Sequence, residues 1–168
     1  MNEKLLKRKI IKFCRKFIKL QYLYDDIFEN SKNHLPFPDT IQKEIIIRYT
    51  NMGLAKNNNK TIDFINNDTQ MLYELKSTTT IDGSVVISDE QAEYANYLIW
   101  MYIDCMDHKI YIKYMGLDDQ NIRNHIKGFV KPRSFVINKV FEKYAHEEII
   151  INMYNLKIEK ANYVKKIN

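Results

Sequence analysis

Glycine, proline and cysteine are all scarce in this chain of 168 residues, which has four, three and two of them. So few glycines and prolines leave little room for disordered linkers or low-complexity tracts. No glycine-rich loop able to cradle phosphates occurs, so no nucleotide cofactor is expected. Cys14 and Cys105 cannot build a disulfide framework and stand in no metal-ligand spacing, which makes a reducing cytoplasm the expected location. No apolar run is long enough to span a bilayer, so no membrane partner is expected. The basic start MNEKLLKRKIIK lacks the apolar core and small-residue cleavage site of a signal peptide, so export is not expected either. His34, His108, His125 and His146 are scattered, with no metal-binding spacing among them. Ser77, Ser84, Ser88 and Ser134 lack the flanking glycines of a nucleophile elbow.

What is present points to one globular domain over residues 1–168, with 45% apolar and 28% charged residues. The formal charge of +5 and the pI near 9.0 mildly favour a polyanionic partner. That charge is concentrated early. Leu6, Ile10, Phe13, Phe17, Leu20, Tyr24 and Ile27 form an apolar stripe that predicts a helix from about Glu3 to Phe28. Its outer face carries Lys4, Lys7, Arg8, Lys9, Lys12, Arg15, Lys16 and Lys19, a row able to neutralise backbone phosphates. The alternative is a solvated face on a core helix, or a stripe that pairs two subunits.

Residues 30–38 read as a loop, and Pro38-Asp39 opens a second helix with Asp39 as N-cap and Gln42 as its capping-box partner. Ile41, Ile45, Tyr49 and Met52 mark its buried side, and Gly53 is its expected stop. Glu44 on this helix can reach the end of a sheet. Later, Asp82-Gly83 signals a turn, and Ser88 with Gln91 forms a capping box for a short helix. Leu98 to Cys105 and Lys109 to Met115 read as strands covered on both faces. A helix over 118–127 ending at Gly128, a basic loop Lys131 to Ser134, and a helix around Ile137, Val140, Phe141 and Tyr144 follow. The tail from Glu148 carries no assignable pattern.

The informative stretch is TIDFINNDTQMLYELKSTTT, residues 61–80. It reads as two short strands, Thr61 to Ile65 and Gln70 to Thr78, joined by a polar turn. Strand residues two apart share a face, so Glu74 and Lys76 stand side by side. Asp63 falls within a diagonal step of them across an antiparallel pair. Two carboxylates and an ammonium at one sheet edge suit a hard divalent cation with a cationic donor beside it, the set that phosphodiester hydrolysis needs. A second acid-x-Lys copy, Asp107-His108-Lys109, sits in a turn without a partner acid. The competing reading makes Glu74 and Lys76 an exposed same-face ion pair worth well under about 1 kcal/mol, with Asp63 a turn residue.

TIDFINNDTQMLYELKS resembles the active-site signature of the PD-(D/E)XK nucleases, and within them the small type II restriction endonucleases. The resemblance covers roughly Pro36 to Met115. It implies an α/β domain with a mixed central sheet flanked by helices, a restriction-endonuclease-like core, Mg²⁺, and cleavage of DNA to leave a 5′-phosphate. By position, Asp63 matches the first acid, Glu74 the second and Lys76 the lysine. Glu44 resembles a helical acid that completes the metal shell in some members, and Gln91 a glutamine found in several branches, including junction resolvases. Ile62 stands where the family name has proline. Asp63, Glu74, the carbonyl of Leu75 and Glu44 are then the expected metal ligands, with Lys76 positioning the attacking water. The literal Pro38-Asp39 is set aside as a helix cap.

The function so expected is Mg²⁺-dependent, site-specific cleavage of double-stranded DNA by a homodimer. A Holliday junction resolvase with the same active site and a non-catalytic basic DNA-binding module are the alternatives. On this reading residues 1–30 are a basic amphipathic helix, 36–115 the catalytic core, and 116–168 a DNA-recognition or dimerisation region. Lys131, Arg133, Ser134, Arg123, Lys12 and Lys16 are the expected DNA contacts, with His125 close by in sequence.

Overall fold

A computed structural model describes residues 2–28, 35–55, 62–117, 124, 134–144 and 147–163. The first helix, α1 (Glu3–Ile27), is capped by the Asn2 side chain, which accepts the Lys4 N–H at 2.9 Å. Its buried positions are Ile10, Cys14, Phe17, Ile18 and Gln21, whereas Leu20 and Ile27 are exposed. The expected stripe therefore holds through Phe17 and then veers. A straight helix drifts by about 20° per heptad against a strict seven-residue repeat, so the core-facing line passes to Ile18 and Gln21. Buried Gln21 is satisfied by donating to Asp25 at 2.8 Å and accepting the Leu35 N–H at 3.1 Å.

The second helix, α2 (Asp39–Tyr49), differs from expectation at both ends. Pro38 occupies the N-cap position and Asp39 is the first helical residue, without a side-chain cap. Gln42 turns back to donate to the Phe37 carbonyl at 2.6 Å. At the other end the chain leaves the helix at Thr50 in extended conformation, and β1 (Met52–Leu54) follows. Gly53 is thus not a helix stop; it pairs with Ile65 inside a strand. Pairing with a strand formed later in the chain overrode a local C-cap signal.

Then come β2 (Phe64–Asn66), β3 (Leu72–Thr78), β4 (Ser84–Val86), α3 (Asp89–Tyr94), β5 (Tyr97–Asp104) and β6 (Lys109–Gly116). The remainder comprises β7 (Ser134–Val136), α4 (Ile137–Tyr144), β8 (Glu147–Asn152) and β9 (Ile158–Tyr163). A seven-stranded mixed sheet runs in the order β1-β2-β3-β5-β6-β8-β9, and β4 pairs with β7 in a separate ribbon. All neighbours in the large sheet are antiparallel except β3 and β5, which are parallel and joined through β4 and α3. The fold is mixed α/β, with four helices among the described residues.

Two apolar layers clamp the sheet. On one face Ile10, Cys14, Phe17 and Ile18 of α1 and Ile45 and Ile46 of α2 pack against Tyr73, Leu75, Ile99, Met101, Ile110, Ile112 and Ile149. On the other, Ala92 of α3, Val140 and Phe141 of α4, and Val85 and Phe135 of the ribbon cover Leu98, Trp100 and Met115. Double coverage explains why β5 reads as apolar at successive positions. The tail that resisted assignment forms the β8–β9 hairpin, added to the sheet beside β6. The helix expected over 118–127 and its stop at Gly128 lie outside the described residues, apart from Asn124.

Trp100 anchors the second layer. It is fully buried, donates its indole N–H to Thr78 Oγ1 at 2.9 Å and meets the Phe141 ring at 5.7 Å. Trp100→Ala is expected to destabilise the fold by about 3–5 kcal/mol, read as a lowered urea midpoint. A loss under about 1 kcal/mol would contradict this packing.

Candidate active site

The meander β1-β2-β3 is short on one side, and that opens the site. Only Phe64 and Ile65 of β2 pair with β3, opposite Tyr73 and Leu72. The ladder ends at Phe64 and Tyr73, so Asp63 stands just before β2 and not inside the strand expected to carry it, beside the stretch of β3 that bears Glu74 and Leu75. The Asp63 carbonyl accepts the Ala55 N–H at 3.0 Å, while its carboxylate Oδ2 accepts the Leu75 N–H at 3.0 Å. The N–H and C=O of a strand residue project to the same edge, so the Leu75 carbonyl also faces this uncovered margin of β3.

Glu74 and Lys76 point to the sheet face covered by α3, since Tyr73 and Leu75 belong to the opposite layer. Glu74 is only 3% exposed. Its Oε1 accepts from Lys76 Nζ at 2.8 Å and from Gln91 Nε2 at 2.6 Å. The single amide oxygen of Gln91, Oε1, accepts from Lys76 Nζ and from the Ser88 N–H, both at 3.0 Å. The Gln91 N–H donates in turn to Ser88 Oγ at 3.1 Å, completing the capping box of α3. The same glutamine therefore caps a helix and orients an ion pair. Glu74 Oε2 is buried and takes no hydrogen bond from a donor among the described residues, while the Asp63 carboxyl lies within hydrogen-bonding reach of the Glu74 carboxyl. Burial pushes the Glu74 carboxyl up to about 7, the Lys76 ammonium opposes that rise, and the neighbouring Asp63 carboxylate adds to it.

A lysine not singled out in the sequence completes the group. Lys43 of α2 sets its Nζ 2.8 Å from Asp63 Oδ1 and 3.2 Å from Asp39 Oδ2. Burial works to lower its pKa, but the hydrogen bonds and charges of Asp63 and Asp39 outweigh it and hold the ammonium above its ordinary value. Asp39, set aside as a cap, thus stands one side chain from Asp63. Glu44 is directed elsewhere, to Arg48 Nη2 at 3.3 Å. Consecutive helical residues diverge by about 100°, so only one of Lys43 and Glu44 can face Asp63. The signal for Lys43 lay in its spacing from Asp39, but which side of α2 meets the sheet margin is a tertiary fact.

Among the expected DNA contacts, Arg123, Lys131 and Arg133, with neighbouring His125, lie outside the described residues. Ser134 is not in a loop; it begins β7, exposed and paired with Val86. Lys12 and Lys16 are exposed on α1, where with Arg8, Arg15 and Lys19 they border a shallow depression of about 350 Å³. α1 packs on the sheet face opposite Glu74 and Lys76, so the basic row and that ion pair are not brought together.

Among the described residues no three His, Cys, Asp or Glu side chains gather closely enough to hold a metal. Mg²⁺ does not need three, because it keeps waters and uses one or two carboxylates plus substrate oxygens. Asp63, Glu74 with its buried Oε2, and the Leu75 carbonyl form an all-oxygen donor set that fits such an ion. Among the described residues no helix is long and apolar enough to cross a membrane. Compared with family models, curated proteins and solved structures, the chain matches none of them.

A carboxyl whose folded pKa lies above its ordinary value binds its proton more tightly when folded. Glu74 therefore removes stability as pH rises from about 4.5 through about 7. In Glu74→Gln that component disappears, so urea unfolding at pH 5, 6, 7 and 8 should show a shallower decline, or a steeper rise, than wild type. Parallel pH profiles would mean that Glu74 is not held in its raised state.

Proposed function

We propose that the chain is a magnesium-dependent endonuclease that hydrolyses phosphodiester bonds of double-stranded DNA at a specific sequence, as small type II restriction endonucleases do. One observation carries the reading: the Glu74 carboxyl is buried against the Asp63 carboxyl, one of its oxygens takes the Lys76 ammonium, and the other takes no hydrogen bond from a donor among the described residues. A purely structural ion pair would satisfy that oxygen, because an orphaned buried acceptor costs about 1–3 kcal/mol. The helix, hairpin bearing D…ExK, helix and further strands that the resemblance implies correspond to α2, β2–β3, α3 and β5–β6.

Asp63, Glu74 and the Leu75 carbonyl would hold the ion. A magnesium ion there supplies positive charge to the scissile phosphate and to the oxygen that departs. Lys76, fixed between Glu74 and Gln91, orients the attacking water at the phosphorus, and Gln91 keeps the lysine from swinging out. Water adds to phosphorus, the bond to the 3′-oxygen breaks with a proton returned to that oxygen, and the phosphate stays on the 5′ end. A 20.2 kDa subunit carries one such site, so a two-fold dimer on a palindromic sequence is the economical arrangement for cutting both strands. Exposed Ser134, with Arg123, Lys131 and Arg133, supplies the proposed phosphate and base contacts, whereas Lys12 and Lys16 lie on the opposite face of the sheet and are not among them.

The position of Gln91 also favours a second reading, a Holliday junction resolvase with the same chemistry. Incubation with Mg²⁺ and either long duplex DNA or a synthetic four-way junction separates them. Discrete duplex fragments support restriction, and paired nicks confined to the junction support resolution. Retention of DNA without cutting would leave a binding module. Asp63→Ala and Lys76→Ala are each expected to lower cutting by roughly 10²–10⁴-fold while DNA retention in a gel persists. Undiminished cutting by either variant would remove this site from consideration.

A further inference from the structure

Both oxygens of the Asp63 carboxylate are engaged, Oδ2 by the Leu75 N–H at 3.0 Å and Oδ1 by the Lys43 ammonium at 2.8 Å. Oδ2 is turned to the backbone, so an ion lodged between Asp63 and Glu74 must approach the oxygen that Lys43 holds. A divalent ion and an ammonium on one carboxylate oxygen would stand about 4 Å apart and repel, strongly so where water is largely excluded. Lys43 has somewhere else to go. Asp39 Oδ2 lies 3.2 Å from the same nitrogen, one helical turn earlier, and the Asp39 side chain is 66% exposed. A lysine stem can shift its head from one carboxylate to the other without disturbing α2.

We propose that Lys43 is an exchangeable counter-ion of Asp63, which a divalent cation displaces and Asp39 then receives. The inference rests on the reading of Asp63 and Glu74 as cation ligands. Before the ion arrives, the ammonium at 2.8 Å neutralises Asp63 beside the buried Glu74 carboxyl. After exchange, the ammonium rests beside the uncovered margin of β3, where a backbone phosphate would approach the ion. Lys43 and Asp39 are positioning residues on this account, setting how readily the ion enters.

Mn²⁺ titration followed by electron paramagnetic resonance, on the full chain without DNA, reads this directly. Lys43→Ala and, as a check on folding, Lys43→Gln should each bind Mn²⁺ roughly five- to tenfold more tightly than wild type, the size of an ordinary coupling between two ligands. Asp39→Ala should bind it a few-fold more weakly, because Lys43 then loses its alternative partner. That weakening should vanish in the Lys43→Ala background, as a double-mutant cycle requires if Asp39 acts only through Lys43. Unchanged or weaker Mn²⁺ binding in both Lys43 variants would overturn the proposal, as would an Asp39→Ala effect of equal size in both backgrounds. If Asp63→Ala abolishes binding while the Lys43 variants match wild type, the assignment of Lys43 fails alone. If wild type and every variant ignore Mn²⁺, the cation reading fails and takes this one with it.

Discussion

Glu74 sits in the interior of a seven-stranded sheet with 3% of its surface exposed, and the surrounding structure is arranged to tolerate it. A carboxylate taken out of water is costly unless charge and hydrogen bonds compensate. Here compensation falls on one oxygen, which receives Lys76 and Gln91 together. Gln91 is available for that because Ser88 fixes it at the start of α3, and α3 is placed there because it links the parallel strands β3 and β5. The connection between those strands, the cap and the ion pair are thus one device. The second oxygen takes no hydrogen bond from a donor among the described residues, and it has a second carboxyl, that of Asp63, for a neighbour, which is the opposite of what maximal stability would select.

The charges around Glu74 make the same point. Three carboxylates, those of Asp39, Asp63 and Glu74, face two ammonium groups, those of Lys43 and Lys76. The imbalance is negative, and it surrounds a Glu74 carboxyl that burial pushes up to about 7, against the Lys76 ammonium and with the help of Asp63. A carboxyl so placed exchanges its proton close to neutral pH, the behaviour that the proposed cation site needs.

Much of the architecture was legible before any coordinates. The capping box at Ser88 and Gln91, the doubly covered strands Tyr97–Asp104 and Lys109–Gly116, and the helix Ile137–Tyr144 are local patterns whose physics lies within one turn or one pleat. Local signals misled where a distant strand competed. Gly53 and Met52 belong to β1 because β2 offers hydrogen bonds there, and the lower half of the α1 stripe is exposed because a helix twists away from a heptad line. The tail was opaque because β8 and β9 take their hydrophobic pattern from the neighbours they meet, and those are set by sheet order.

The candidate site divides in the same way. Spacing alone put Glu74 beside Lys76, since a strand alternates sides at every residue, and placed Asp63 near them through a short turn closed by Asn66, whose Oδ1 accepts the Asp68 and Thr69 N–H groups. Those relations are encoded by a few consecutive residues and survive any packing of the whole. Which side of α2 meets the margin of β3 was decided only when α1, α2 and the sheet came together around Ile45 and Ile46. A rotation of that helix by about 100° would present Glu44 in place of Lys43, and no local pattern prevents it. The sequence thus determined the pair on the strand, and burial of the helix chose the lysine that answers it.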